Sequence, residues 1–521
     1  MLGALVAPIP AGAAPPPASE GIVYEADAVE IARGDENAIE AASEHPDLRP
    51  SATRADGDRD WEVGFFSGDD QLVQVVVDDH SGEIEESWTG HQIAWKMARG
   101  YEGAFGRTLN APYVWIPLCA VFVLGLLDWR RPLRIAHLDL LVIVAGFGLS
   151  HYFFNRGEIG LSVPLAYPPL LYLMGRMLWV AFRGGEGLRP TMPVLALAVA
   201  LVFLVGVRVG LNVGDSNVID VGYSGVIGAD KIADGEPLYG EFPPDNARGD
   251  TYGPLAYYVY EPFEQMFPWG GTWDELPAAH AAAIFFDLAT IALLILLGRR
   301  LRPGREGTAL GLMLGFAWAA CPYTAFALES NTNDTLVPLL LVATLLVISS
   351  PAARGAMLAF ASLTKFAPIA LAPLFATYRD ESATGGAEAT GPVARFAAAF
   401  AIVTLIVMAQ TLIDPGPSTF WERTIGNQAG RDSPFSVWGQ EPSLDWLHTA
   451  VKVAVAALAL LVAFLPKRRD TVAVAALGAA VLIAVQLVVE HWFYLYIPWF
   501  LPLLFVALLA ASPGRREPSP G

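Results

Sequence analysis

Acidic side chains set beside apolar runs are the first chemistry this sequence offers. The segment Asn212 to Tyr252, NVGDSNVIDVGYSGVIGADKIADGEPLYGEFPPDNARGDTY, holds eight carboxylates against Lys231 and Arg248. A carboxylate just outside a bilayer can take the proton from a hydroxyl nucleophile as it attacks a sugar carbon, if the partners are held in place. For most of the eight, a solvated acidic loop is the simpler reading. Asp215 and Asp220 differ because they follow an apolar run ending near Val209, and Asp220 sits among Val218, Ile219 and Val221. A carboxylate there is costly without a partner or a task, so Asp220 is the first choice as a base and Asp215 the alternative.

Cations to meet an anionic leaving group lie further on. Lys365, in SLTKFAPIALAPLF, is a charge inside an apolar element and needs water, snorkelling or an anionic partner such as a lipid phosphate. Pro368 and Pro373 predict a broken, cavity-forming segment around it. Arg423 and Arg431, in FWERTIGNQAGRDSPFSVWG, carry the planar donor fork that suits phosphate, with surface salt pairing as the plainer reading. Glu329 and Asp334, in LESNTNDT, read as polar groups capping a helix at the membrane boundary. His491 beside Glu490 could tune proton chemistry, but one histidine makes no metal site. Trp438, Trp446, Trp492 and Tyr494 read as interface anchors. No cofactor is required by these motifs, although the acidic loop could bind a divalent cation. Cys119 and Cys321 both fall in apolar segments, which leaves no disulfide framework.

The elements that must position these groups are mostly membrane helices. The chain has 521 residues, 54% of them hydrophobic and 16% charged, and a mean hydropathy of +0.43. Apolar runs of about 20 residues recur, as a polytopic protein requires. The net charge of -19 opposes nucleic-acid binding. Expected spans are 112–127, 138–154, 161–182, 192–209, 280–297, 308–326, 336–348, 396–412, 450–465, 472–489 and 494–509, with a re-entrant or broken element at 357–377. Tyr252 to Trp269 is expected to run along the surface. Basic clusters at Arg130–Arg134, Arg183–Arg189, Arg299–Arg305 and Lys467–Arg469 assign those ends to the cytoplasm. The region 20–110 and the loops 210–278 and 413–446 are then extracytoplasmic, and a tail at 512–521 is cytoplasmic. Residues 1–19 read as a signal-like or disordered leader.

Residues 20–110 are predicted to hold a small α+β domain and, from His91 to Pro112, an interfacial linker that packs at the membrane surface before the first span. Short helices are expected at Glu25–Arg33 and Glu36–Ser43, followed by three strands at Trp61–Phe66, Leu72–Asp78 and Glu83–Trp88. Val73, Val75 and Val77 share one face, and DDHSG supplies a tight reversal. The stretch WEVGFFSGDDQLVQVVVDDHSGEIEESWTG resembles the PepSY-like domains found outside the membrane in bacterial proteins.

An early external acidic residue, then GADKIADGEPLYG and DTYGPLAYYVYEPF, resembles the bacterial polyprenyl-phosphate-dependent GT-C glycosyltransferases, especially their mannosyltransferase-like branch. The likeness runs over most of residues 190–511. It implies a polytopic all-α membrane protein with a GT-C-like helical core in 111–511, using a polyprenyl-phosphate sugar donor and a glycan, lipid or protein acceptor. It places the loop aspartate best at Asp220, with Asp215 nearby, and the DGEPLY element at Asp234 to Tyr239. Tyr252, Gly253 and Pro254 stand where the family has Tyr-Pro-Pro, and Asn333 with Asp334 resembles a polar site motif. The implied setting is the bacterial plasma membrane and its lipid. A transporter or flippase is the main alternative, since polar groups at broken helices also serve passage. A noncatalytic envelope sensor is the third reading. Because the implied donor is lipid-linked, a nucleotide-binding GxGxxG fingerprint is not needed, and none is present.

Overall fold

The computed structural model describes residues 23–54, 60–100, 105–185, 187–379, 391–429, 431 and 433–511. The expected leader and carboxyl-terminal tail lie outside the described residues. The chain divides into two compact units, Met1–Gly100 and Tyr101–Gly521.

In the first unit a four-stranded antiparallel meander runs β1 (Arg49–Arg54), β2 (Trp61–Ser67), β3 (Asp70–Val77) and β4 (Ile84–Thr89) in that spatial order. Val63 and Phe65 of β2 and Val73, Val75 and Val77 of β3 point to one face. There they pack with Ala28, Ala32 and Ala38 of the helices Glu25–Ala32 and Glu36–Glu44. Asp35 caps the second helix by accepting the backbone N–H groups of Asn37 and Ala38. The DDHSG reversal closes on Asp78, whose carboxylate accepts from Ser81 and the His80 N–H, and on Gly82 at φ +70°. Strand β1 is an addition to the three expected. Its sequence, RPSATR, is polar and starts beside a proline, and it forms as an edge strand in register with β2.

The second unit is a multi-pass membrane protein. Among the described residues six helices are long and apolar enough to cross a membrane: Ile135–Phe154, Ile159–Arg183, Val194–Asp215, Pro277–Leu301, Gly391–Ile413 and Pro442–Leu461. The pair Gly304–Ala320 and Pro322–Glu329 adds a seventh if counted as one broken span. Five shorter apolar helices occupy the remaining expected places: Pro112–Leu126, Asn333–Leu346, Ala367–Ala376, Thr471–Gln486 and Tyr494–Leu509. Eleven full crossings is therefore too many by length. A helix of 15 residues such as Pro112–Leu126 rises only about 22 Å against a hydrocarbon layer of about 30 Å.

Prolines explain where the expected runs break. Pro322 has no N–H to continue the preceding ladder, and the span expected at 308–326 bends there by 59°. The helix Pro351–Thr364 stops at Lys365, whose backbone is extended, and Pro368 and Pro373 enter the short turns Ala367–Leu371 and Ala372–Ala376. The segment 252–269 forms only the short helices Leu255–Tyr258 and Glu261–Glu264.

One ion pair inside the bundle escaped the sequence reading. Arg208 donates through Nε and Nη2 to the two oxygens of Asp287, at 3.1 and 2.5 Å, and Trp318 Nε1 donates to the same carboxylate at 2.7 Å. The helices Val194–Asp215, Pro277–Leu301 and Gly304–Ala320 are joined by this contact, with Arg208 and Asp287 both buried.

The bundle has two chemically different ends. Basic residues gather at one: Arg134 donates to the Gly187 carbonyl, Arg468 to that of Val180, and Arg302 to those of Leu509 and Ala510. At the opposite end of the helix that carries Leu509, Trp499 reaches Asp334.

Candidate active site

Asp220 is set in place by a strap of main-chain bonds. After the helix Val194–Asp215, the N–H groups of Asn217 and Ile219 donate to the carbonyls of Glu329 and Ser330. Asn212 and Asn331 reinforce the strap: Asn212 Nδ2 donates to the Leu328 carbonyl and to Asn331 Oδ1, while Asn331 Nδ2 donates to Ser216 Oγ and the Asn217 carbonyl. Asp220 then opens the helix Asp220–Ala233, and its carbonyl accepts from Ser224 Oγ and Asn246 Nδ2.

Two glycines allow the walls to close. A Cβ on Gly222 would lie 2.0 Å from the Asn331 carbonyl oxygen, so only glycine lets this helix meet the 331–335 turn. A Cβ on Gly253 would lie 2.0 Å from the Leu363 carbonyl oxygen, and the Gly253 N–H donates to Thr364. That second approach brings Tyr252 beneath Lys365, whose Nζ sits 3.8 Å from the ring centre. Glycine at 253, between Tyr252 and Pro254, thus has a packing reason here.

Lys365 and Asp334 form the buried pair of the site, 3.4 Å apart. Asp334 also accepts from Trp499 Nε1 at 3.0 Å and from Thr332 Oγ1. Capping at a membrane boundary was the plain expectation for Glu329 and Asp334, but both carboxyl groups are fully enclosed. Around this pair, Asp220 lies within electrostatic reach of Arg431, Lys365 and Asp334, and Tyr496 within reach of Asp334, Arg431 and Asp220. The structure therefore gathers Asp220, Tyr252, Asp334, Lys365, Arg431, His491 and Tyr496.

The first residue of its helix, Asp220 is exposed to solvent at the edge of this cluster. The surrounding protein strips water from the carboxylate and pushes its pKa up. The Val221 N–H and the charges of Arg431 and Lys365 partly oppose that rise. His491 is held well below the ordinary imidazole value, first by burial and then by Arg431 and Lys365, so it is neutral. Its Nδ1 meets Ser433 Oγ at 2.9 Å.

Other residues expected at the site have different surroundings. Arg423 grips Asp250 with two bonds of 2.7 Å and the Ala247 carbonyl with a third, and Asp250 also accepts the Gly240 N–H. The Asp250 bonds hold Arg423 firmly charged, and together they fasten the 417–429 segment to the acidic loop. Asp215 is bound by Thr108 Oγ1 and lies 3.7 Å from Arg107. Asp234 is the exposed residue that ends the helix Asp220–Ala233. Tyr239 is buried with its hydroxyl on the Tyr252 carbonyl at 2.9 Å, which steadies the tyrosine under Lys365. Asn333 is fully buried beside Asp334, with no hydrogen bond to either amide atom among the described residues.

Of the four aromatic anchors only Trp446 is exposed; Trp438 stacks on His448, Trp492 donates to Gln486, and Tyr494 is buried. Trp499, Tyr496 and Gly222 were not singled out from sequence, and Gly253 was noted only as a departure from Tyr-Pro-Pro. Gly253 within a motif otherwise rich in prolines and tyrosines was the one available signal. Among the described residues no three His, Cys, Asp or Glu side chains come together as a metal-holding group.

Residues 251–490 match the sequence profile of glycosyltransferase family 87, and this match indicates a glycosyltransferase. It spans Tyr252, Asp334, Lys365, Arg423 and Arg431, begins after Asp220, and stops one residue before His491. No curated protein matches the chain.

Proposed function

We propose that the protein transfers a sugar from a polyprenyl-phosphate donor to a glycan, lipid or protein acceptor on the extracytoplasmic side of a bacterial plasma membrane. One observation carries this reading: a solvent-reaching carboxylate, Asp220, lies within electrostatic reach of two cations, Lys365 and Arg431, at the end of the bundle away from the basic clusters. The positive-inside bias assigns those clusters to the cytoplasm and so the candidate site, with the loop 210–278, to the outside.

In the reaction an acceptor hydroxyl oxygen forms a bond to the anomeric carbon while the bond from that carbon to the phosphate oxygen breaks. Asp220 takes the hydroxyl proton, and the electron pair of the broken bond leaves on polyprenyl phosphate. Lys365 and Arg431 meet the charge that develops there. Asp334 is a positioning residue for Lys365, and Tyr252 supports the ammonium from below. Arg423 acts through Asp250 on the shape of the acidic loop, in place of the direct phosphate contact expected from sequence, and Asp215 remains the second choice as base. A divalent cation is not needed for this sequence of events. The first unit, with two helices on one face of a meander, supports the reading of a PepSY-like module placed outside the membrane.

The deciding experiment is Asp220→Asn in the full chain, reconstituted at matched folding yield and assayed with a panel of polyprenyl-phosphate sugars. Loss of the base lowers transfer by about 10²- to 10⁴-fold while donor binding persists. Near-normal transfer rejects Asp220 and moves the role to Asp215. Movement of unaltered substrate across vesicles, with no transfer by the unmodified protein, supports the transporter reading instead.

A further inference from the structure

Away from the candidate site, at the basic end of the bundle, lies a recess of about 510 Å³ lined by Leu133, Arg134, Ile135, Arg176, Trp179 and Arg183. It sits where the helix Ile135–Phe154 begins and the helix Ile159–Arg183 ends, two helices of membrane-crossing length. Its floor is charged and ordered. Arg176 pairs with the fully buried Asp139 at 3.1 Å, and Arg134 lies 3.5 Å from Asp128 while donating to the Gly187 carbonyl. Arg183 is exposed and stands over the Trp179 ring at 5.9 Å.

The outer wall is apolar. Leu133 is completely exposed, and Trp179 and Ile135 are 60% and 58% exposed. Side chains of this kind at the rim of a membrane helix meet acyl chains, and a tryptophan at that level belongs to the interface. Three stretches of chain converge around the recess, 128–134, 183–189 and 467–470, and they contain eight basic against three acidic residues. Arg134 joins the first to the second, and Arg468 extends from the third to the carbonyl of Val180 beneath the recess.

We propose that this recess binds the head group of an anionic phospholipid from the adjoining leaflet. Guanidinium groups take the phosphate oxygens, with Arg183 as the most accessible donor, and the acyl chains lie along Leu133, Ile135 and Trp179. Charge complementarity selects an anionic lipid, and the exposed apolar wall selects a lipid over a soluble phosphate.

The test uses the full chain released from nanodiscs containing phosphatidylglycerol and phosphatidylcholine with the same acyl chains, with bound lipids counted by native mass spectrometry. The unmodified protein retains phosphatidylglycerol in preference. Removing one cation near a membrane surface by Arg183→Gln lowers that retention about fivefold, whereas Arg305→Gln, an exposed arginine outside the recess, leaves it unchanged. Equal retention of the two lipids by the unmodified protein overturns the proposal. So does an equal loss in Arg305→Gln, which makes the attraction diffuse, or displacement of the lipid by millimolar glycerol phosphate, which makes the recess a soluble-anion site. Matched melting temperatures of the variants show that the exposed Arg183 is replaced without unfolding.

Discussion

Gly253→Ala perturbs the candidate site without changing any ionisable group. The added methyl carbon would stand 2.0 Å from the Leu363 carbonyl oxygen, and real Cβ contacts essentially never fall below 3.0 Å. The loop and the helix Pro351–Thr364 must therefore part by about 1 Å, which carries Tyr252 away from Lys365 and stretches the 3.8 Å contact. A misplacement of about 1 Å in a catalytic arrangement costs on the order of 10²-fold in rate. In proteoliposomes with a polyprenyl-phosphate sugar, Gly253→Ala should lower kcat by about that factor, because the groups remain but their alignment is lost. Gly270→Ala, at a position with only the Asp274 carboxylate nearby at 3.4 Å, serves as the control and should transfer normally. Full activity of Gly253→Ala at matched expression and melting temperature would refute the argument that this close approach aligns the site.

Three further outcomes follow from the same geometry. Because burial raises the Asp220 pKa and a base must be ionised to accept a proton, transfer should fall as the pH drops through a value above the ordinary carboxylate figure of about 3.9. A profile flat down to pH 4 removes Asp220 from the rate-controlling step. Lys365→Met keeps the apolar stem but loses the ammonium, so donor binding measured by competition should weaken at least tenfold, whereas unchanged affinity places the phosphate elsewhere. Arg208→Leu leaves the Asp287 carboxylate buried without its cation and should cost about 3–5 kcal/mol of stability. Arg208→Leu with Asp287→Leu should recover most of it in thermal melts, and a double variant as unstable as the single one contradicts the ion-pair account.

Charged residues in apolar surroundings were the legible part of the candidate site. Asp220 and Lys365 could be picked out because a charge near hydrocarbon needs compensation, and that cost is written in the local sequence. Asp334 came instead from the resemblance, and Arg431 from the fit of a guanidinium to phosphate. Pairings between distant segments carry no such mark. Arg423 and Asp250 are 173 residues apart, and nothing near either identifies the other as its partner. Arg208 was hidden differently, as one cation absorbed into a long apolar run whose average stayed high. The helical architecture followed from hydropathy, but helix length did not: the break at Pro368 and Pro373 was expected, whereas Pro322 divides a run that composition alone joins. In the first unit the alternation of Val73, Val75 and Val77 revealed a strand, while RPSATR has no apolar face to show and becomes one only by pairing with β2.

The pairing of Lys365 with Asp334 also bears on how a reaction cycle would end. At rest the lysine is neutralised by its carboxylate partner, so an arriving lipid competes for a cation already engaged. A lipid-phosphate sugar is a diester with a single ionised oxygen, whereas the monoester left behind carries about 1.5 to 2 negative charges near neutral pH. In the proposed reaction the spent carrier would therefore be gripped harder than the loaded one, and its departure would be a slow step. Added polyprenyl phosphate would slow the enzyme strongly, and the return of Asp334 to Lys365 would help to expel it.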